Sequence, residues 1–257
     1  MKVVTHVSAK PSHYNKESEG YDEFNEHNSQ IINRTIETLL RKYNVKTVLD
    51  ITCGTGSQVF YLHKHGYQVV GADFNAKMLA IAKQKAKKEN LKITFLKCDM
   101  RTARIGEFDA VITIFNAIGH LTKNDFEQAL NSISVNLNKN SIYIFDIFNR
   151  RYLEHADTIT KLTIDWQTTV GKITTRKIQY STIDDAGILT SNTITLQQSG
   201  KKTKINQDVQ TLQTYSAQEL KQLLTEHGFK VVHQSAIDGA TFDDKRSERI
   251  LVVAQKK

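Results

Sequence analysis

A doubly wound α/β fold is predicted by three features of the sequence. Up to residue 150, short apolar runs alternate with amphipathic helical segments, the pattern of a mostly parallel sheet covered on both faces. Residues 158–214 break that rhythm with β-branched residues at period two, which reads as an antiparallel β-meander inserted into the core. Helical and strand signals return after residue 214, so the end of the chain completes its beginning. The expected organisation is a core at 1–150 with an N-terminal cap, a β insertion at 151–214, and the rest of the core at 215–257.

Residues 1–28 are polar and locally acidic, with Tyr14, Tyr21 and Phe24 interspersed. From Ser29 a helix places Ile32, Ile36, Leu39, Leu40 and Tyr43 on one face. Strand 47–51 leads to helix 57–65, which Gly66 stops. Strand 68–72 leads to helix 76–88, with Asn75 as its N-cap. Strands 93–97 and 109–114 come next. Helix 123–137 carries Phe126, Ala129, Leu130, Ile133 and Leu137 at helical spacing, and strand 141–147 closes this half. Within the meander, turn signals stand at Val170-Gly171-Lys172, Asp184-Asp185-Ala186-Gly187 and Ser199-Gly200-Lys201-Lys202. The capping box Ser216-x-x-Glu219 opens a helix with Leu220, Leu223 and Leu224 on its apolar face, ended by Gly228. Strands 229–234 and 249–254 finish the chain.

With 257 residues, 39% hydrophobic and 24% charged, the composition suits a globular chain with one sizeable core. No run approaches the roughly 20 apolar residues of a membrane span, and residues 1–6 lack the apolar stretch of a signal peptide. Cys53 and Cys98 are too few for a disulfide scaffold or a zinc cluster, so a reducing cytoplasm and no metal are expected. The net charge of +8 invites a nucleic acid, because phosphates select Lys and Arg. Its placement argues otherwise. Between Lys77 and Lys97, seven lysines against one acid, Glu89, supply +6 of that charge, mostly along the wet face of one helix. Neither a nucleic acid nor a membrane is therefore expected as a partner, and homo-oligomerisation is left open.

The sharpest chemical signal is Val48-Leu49-Asp50-Ile51-Thr52-Cys53-Gly54-Thr55-Gly56. Glycines at a strand-to-helix turn let the backbone approach a ligand at the carboxyl edge of a parallel sheet. Val59 stands where a dinucleotide motif has its third glycine or alanine, which disfavours a pyrophosphate on the helix N-terminus. Asp50 ends the strand with an acid, which suits an ammonium group and hence a zwitterionic amino-acid ligand. Asp73 ends the second strand 17 residues beyond Gly56, where a carboxylate accepts hydrogen bonds from both ribose hydroxyls. After the third strand, Cys98-Asp99-Met100-Arg101 offers a carboxylate for an adenine amino group and an apolar side chain against its ring.

Together these residues resemble the class I S-adenosylmethionine (SAM)-dependent methyltransferases. Asp50-x-x-x-Gly54-x-Gly56 is similar to their first motif, with Thr52 where a glycine or alanine is usual. Gly71-x-Asp73-x-x-x-x-Met78-Leu79 is similar to their second, and Phe108-Asp109-Ala110-Val111 to the strand before their active site. The resemblance implies SAM as cofactor and a Rossmann-like seven-stranded sheet of order 3-2-1-4-5-7-6 with the last strand antiparallel. It also implies cofactor contacts from Tyr21, Thr52, Cys53, Phe74, Met78, Met100 and Phe115, beside Asp50, Gly54, Gly56, Asp73 and Asp99.

Within the class, Phe115-Asn116-Ala117-Ile118-Gly119-His120-Leu121, Ile144-Phe145-Asp146-Ile147-Phe148-Asn149 and the β insertion most resemble the glycine and sarcosine N-methyltransferases and related small-molecule amine methyltransferases. That implies a small-molecule acceptor methylated on an amine nitrogen, with Asn116 holding the amine and Tyr21 closing over the cofactor. Residues 151–214 would cover the substrate side. Phe148 stands where the glycine enzymes place an arginine, which leaves Arg150 or Arg151 to meet an acceptor carboxylate. His120, with a reference pKa near neutrality, either takes the amine proton or packs at a helix start. Ile114-Phe115-Asn116-Ala117 lacks the proline turn used for nucleobase and glutamine amides. An RNA methyltransferase and a SAM-binding module without catalysis stay open as alternatives, and the sequence does not name the acceptor.

Overall fold

The computed structural model describes residues 5–15, 21–155 and 164–257, apart from the side chains of residues 21–28 and 164. The first half runs α1 (Tyr21–Lys42), β1 (Thr47–Asp50), α2 (Ser57–Lys64), β2 (Gln68–Asp73), α3 (Ala76–Lys88), β3 (Thr94–Lys97) and β4 (Phe108–Thr113). A 3-10 turn at Ala117–His120, α4 (Lys123–Val135), β5 (Leu137–Phe148) and the short α5 (Arg150–Leu153) follow. Then come β6 (Ile164–Val170), β7 (Ile173–Ile183), β8 (Ile188–Ser199) and β9 (Lys202–Gln213), and finally α6 (Ala217–Glu226), β10 (Phe229–Ser235) and β11 (Arg249–Lys256).

Seven strands form one sheet in the order β3-β2-β1-β4-β5-β11-β10. β11 runs antiparallel to both β5 and β10, while β1 to β5 pair in parallel. This is the implied order, 3-2-1-4-5-7-6, with the last strand reversed. Successive residues of a strand face opposite sides, so a sheet covered twice needs apolar residues at nearly every position. Val48, Ile112, Ile144 and Val253 pack with Ile36 and Leu40 of α1, Leu62 of α2 and Ala82 of α3. Their neighbours Leu49, Val111, Phe145 and Val252 pack on the other side with Phe126 and Leu130 of α4 and Leu220 and Leu224 of α6.

Several boundaries differ from the expected ones, those of α1 and of the α4–β5 junction among them. α1 begins at Tyr21 rather than Ser29, because adding turns to a nucleated helix costs little and needs no apolar stripe. α4 ends at Val135 rather than Leu137, and β5 starts at Leu137 rather than Ser141. Asn136 is the reason. Its buried side chain accepts from Ile105 N at 2.7 Å and donates to Ala103 O at 2.8 Å, which turns the chain out of the helix. Leu137 then pairs with Phe108 instead of closing another helical turn.

The insertion is an antiparallel sheet of its own, β6-β7-β8-β9, with its turns at the expected positions. Arg150 ties it to the core, donating to Asp185 O at 2.7 Å and to Glu219 at 3.2 Å. Six of the seven lysines between Lys77 and Lys97 are exposed, and Lys85 reaches Thr55 O at 3.2 Å. Among the described residues, no helix is long and apolar enough to cross a membrane.

Candidate active site

The carboxyl ends of β1 to β4 meet at one edge of the sheet, where a cleft of about 740 Å³ opens. Thr52, Gly54, Asp73, Phe74 and Met78 line one side, and Cys98, Asp99, Met100 and Arg101 the next. Phe115, Ala117, His120 and Leu121 form the third, and Ala9 and Tyr14 of the N-terminal segment lie across it.

The first wall is shaped by the turn from β1 to α2. Gly54 and Gly56 both adopt positive φ, 53° and 93°, and a side chain at Gly56 would bring its Cβ to 2.7 Å from Phe60. Gly54 N donates to Asp73 Oδ2 and Asn75 N to Asp73 Oδ1, each at 2.8 Å, so the turn itself aims the Asp73 carboxylate. Asn75 caps α3 through Lys77 N and Met78 N, which frees Asp73 from that task. Asp50 is buried behind the turn, with Gly56 and Cys53 likewise behind the cleft surface. Its Oδ1 accepts from Thr52 N at 3.2 Å. Among the described residues, Asp50 Oδ2 and Thr52 Oγ1 are buried without a hydrogen-bond partner. Burial, with the neighbouring Asp73 adding to it, pushes the Asp50 carboxyl up to about 8. Burial raises Asp73 as well. Two buried carboxylates and an orphaned hydroxyl call for a cationic, donor-rich ligand.

On the second wall, Arg101 Nε donates to both oxygens of Asp99, at 3.0 and 3.1 Å. Its Nη1 continues to Asp125 at 2.8 Å, and Asp125 also accepts the Ser8 hydroxyl. Burial pushes Asp99 up, but Arg101 outweighs it and holds the carboxyl below its ordinary value. Burial raises the Cys98 thiol to about 11 and the Cys53 thiol well above its usual value, so both are neutral packing groups.

On the third wall the structure departs from several sequence expectations. Asn116, expected to hold the acceptor amine, is 4% exposed, and its Oδ1 accepts from Phe148 N at 3.0 Å. Its left-handed backbone turns the carboxamide toward β5, behind the cleft surface. Arg150 and Arg151 are not in the cleft either. α5 carries them to a surface groove with Ser216 and Gln218, where Arg150 pairs with Glu154 and Glu219 and Arg151 with Glu154. The guanidinium that does come near Phe148 belongs to Arg249 on β11, with its Cζ 5.7 Å from that ring centre and 5.9 Å from Phe115's. Arg249 is ion-paired with Asp146, so its charge is already matched. Tyr21 opens α1, but its side chain lies outside the described residues.

His120 does line the cleft, with Nε2 2.6 Å from Tyr14 Oη. Burial, assisted by His13 and His6, pushes its pKa down to about 3, so the imidazole is neutral. The N-terminal segment is held over this wall by Ala9 N donating to His120 O at 2.9 Å and Thr122 N donating to Ser8 Oγ at 2.9 Å. His6 bridges Leu121 O at 3.0 Å and Thr211 Oγ1 of β9 at 2.9 Å. Tyr14, Ala9 and Arg249 were not among the expected site residues. An aromatic side chain in a polar segment was Tyr14's local signal, shared with Tyr21 and Phe24, and nothing local marks Arg249.

One acid facing the cleft with a second recessed behind it, a polar second wall and an apolar third wall beside a neutral Tyr–His pair suit a cationic, donor-rich ligand. The family model described as a methyltransferase domain matches residues 48–140, the stretch that builds these walls. Over residues 48–140 the chain carries a methyltransferase domain. A Bacillus subtilis protein named as a methyltransferase, YqeM, is 28% identical over 219 residues, 81% of this chain and 83% of that one. A glycine/sarcosine N-methyltransferase of Parasynechococcus marenigrum is 36% identical over 126 residues, 47% of this chain and 45% of its own. The crystal structure of an S-adenosylmethionine-dependent methyltransferase from Clostridium acetobutylicum superposes with a TM-score of 0.76. It covers 95% of this chain and 98% of its own at 17% identity, a likeness of fold. The methyltransferase takes SAM as its cofactor, and its residues fit that molecule. The orphaned acceptors of Asp50 and Thr52 suit an ammonium, Asp73 suits vicinal hydroxyls, and Met78 and Met100 are apolar walls for a purine.

Proposed function

We propose that this methyltransferase methylates an amine nitrogen of a small molecule, and that Tyr14 and His120 stand beside the amine. The observation that carries this reading is the Tyr14–His120 hydrogen bond in the cleft wall, in which the phenol stands against a neutral imidazole. An amine N–H set against this pair would have its nitrogen lone pair aimed along one line. Bound SAM supplies an electrophilic methyl group on a sulfonium. Transfer would join that methyl to the amine nitrogen and leave the sulfur as a neutral thioether, and the resulting ammonium would give its proton to solvent water. Asp50 and Asp73 hold the cofactor end, while Phe115 and Leu121 keep water from the reacting line. The partial likeness to a glycine/sarcosine N-methyltransferase points the same way.

The pairing of Arg101 in the cleft, and of Arg249 behind the Phe115 ring, favours an acceptor without a free carboxylate. Arg101 is held by Asp99 and Asp125, and Arg249 by Asp146, so a carboxylate buried against Phe148 would lack a cation. Labelled methyl transfer from SAM to glycine, sarcosine, glucosamine and benzylamine tests this. We expect glycine to be the poorest of the four, and Tyr14→Phe to lower kcat by about 10²-fold with SAM affinity little changed. Transfer to RNA with none to the amines would overturn the reading.

A further inference from the structure

The loop between β4 and the 3-10 turn carries two successive non-glycine residues in the left-handed region, Phe115 at φ 63° and Asn116 at φ 58°. Such residues persist only where their surroundings over-determine them, and a phenylalanine there is uncommon. The surroundings are on β5 and β11. Asp146, fully buried, accepts from Asn116 N at 3.1 and 3.3 Å and from the Phe115 backbone as well. Asn116 Oδ1 completes the ring by accepting from Phe148 N. Gly119 leaves room for that carboxamide: a Cβ there would stand 2.5 Å from Asn116 Nδ2. Behind the carboxylate lies Arg249, paired with Asp146 and flanked by the Phe115 and Phe148 rings.

A buried ion pair is a poor device for stability alone, because well-packed apolar residues serve as well or better. What an apolar pair cannot do is accept backbone N–H groups. Burial pushes the Asp146 carboxyl up while Arg249 and the loop amides pull it down, so the arginine is what favours the charged, multiply accepting form. We propose that Arg249 and Asp146 are positioning residues for methyl transfer, holding the Phe115–Asn116 backbone so that the Phe115–Ala117 wall stands correctly against the reacting groups. This rests on the methyl-transfer reading only for its effect on rate. The effect on the loop is independent of it.

The test uses Arg249→Met, Arg249→Lys, Asp146→Asn and the double variant Arg249→Met with Asp146→Asn. Amide hydrogen exchange at residues 115 and 116, SAM affinity by calorimetry, and labelled transfer to the four amines are measured for each. In Arg249→Met, exchange at both amides should quicken and kcat fall by about 10²-fold, with SAM affinity within a few-fold of wild type. Arg249→Lys should recover part of both. The double variant leaves no unmatched buried charge and should regain melting temperature, yet not the loop protection or kcat. Unchanged exchange in Arg249→Met would overturn the proposal, as would a double variant that recovers kcat with its stability. If wild type methylates none of the four amines, the amine reading fails, and the exchange measurement still decides the positioning role.

Discussion

Asp50 and Asp73 end adjacent strands, and the turn between β1 and α2 is what brings both to the cofactor seat. Their tasks differ. Asp73 faces the cleft with its oxygens aimed by Gly54 and Asn75, so Asp73→Ala should cost SAM about 1.5–3 kcal/mol of binding, the usual loss for hydrogen bonds to a charged group. Calorimetry at fixed pH reads this directly, and an unchanged affinity would remove Asp73 from the seat. Asp50 is recessed, and burial raises its folded-state carboxyl from the ordinary aspartate value of about 3.8 up to about 8. Between those values the folded chain keeps a proton that the unfolded chain releases, so stability of the cofactor-free protein falls as pH rises. Melting curves from about pH 5 to about pH 8 should show that decline, and Asp50→Asn should flatten it. A slope equal in both proteins would place the titrating group elsewhere.

The turn joining β1 to α2 is the element on which both acids depend. Gly56 sits at φ 93°, and its missing side chain is what allows Phe60 to pack against the helix start. Gly56→Ala meets two costs: left-handed backbone at about 1–2 kcal/mol and displacement of Phe60 at about 1–3 kcal/mol. Urea unfolding should therefore show a loss of about 2–5 kcal/mol, and SAM affinity should drop because Gly54 N no longer aims Asp73. A variant as stable as wild type would mean that the turn relaxes without cost. Element boundaries follow the same logic elsewhere, as at Asn136, where one buried amide ends α4 earlier than its apolar spacing suggests.

For the molecule as a whole, the question is how the inserted sheet serves the cleft. It touches the N-terminal segment through His6–Thr211 and His13–Gln210, and that segment in turn lays Ala9 and Tyr14 over the third wall. We regard residues 151–214 as a substrate-side cover acting through this strap. Their eight basic and six acidic residues nearly balance, which does not suit a phosphate-binding surface. Replacing residues 164–213 by a short Gly-Ser linker should keep SAM affinity within about tenfold and abolish transfer, because Tyr14 loses its support. Retained turnover in the shortened protein would refute the cover.

Periodicity and turn chemistry act locally, and they determined the strand–helix alternation, the meander with its turns, and the glycine turn beside Asp50 and Asp73. Residues of one short motif share one element, so their placement at the sheet edge follows from the strand that carries them. The third wall obeys no such rule. Asn116 stands in a motif-like run, yet its carboxamide was claimed by a backbone N–H of β5, 32 residues away. Arg150 and Arg151 follow Phe148 closely, yet α5 turns them to Glu154 and Glu219. The arginine that does reach the Phe148 ring comes from β11, and the tyrosine beside His120 from a polar segment 106 residues earlier. Such groups meet because the assembled sheet and the folded-back N-terminus bring them together where water is largely excluded. The sequence by itself determined the fold and the glycine turn beside Asp50 and Asp73, because each of those residues is placed by its own strand and turn. Tertiary structure alone decided which side chains face the acceptor, because buried hydrogen-bond and charge pairing is settled between segments far apart in the chain.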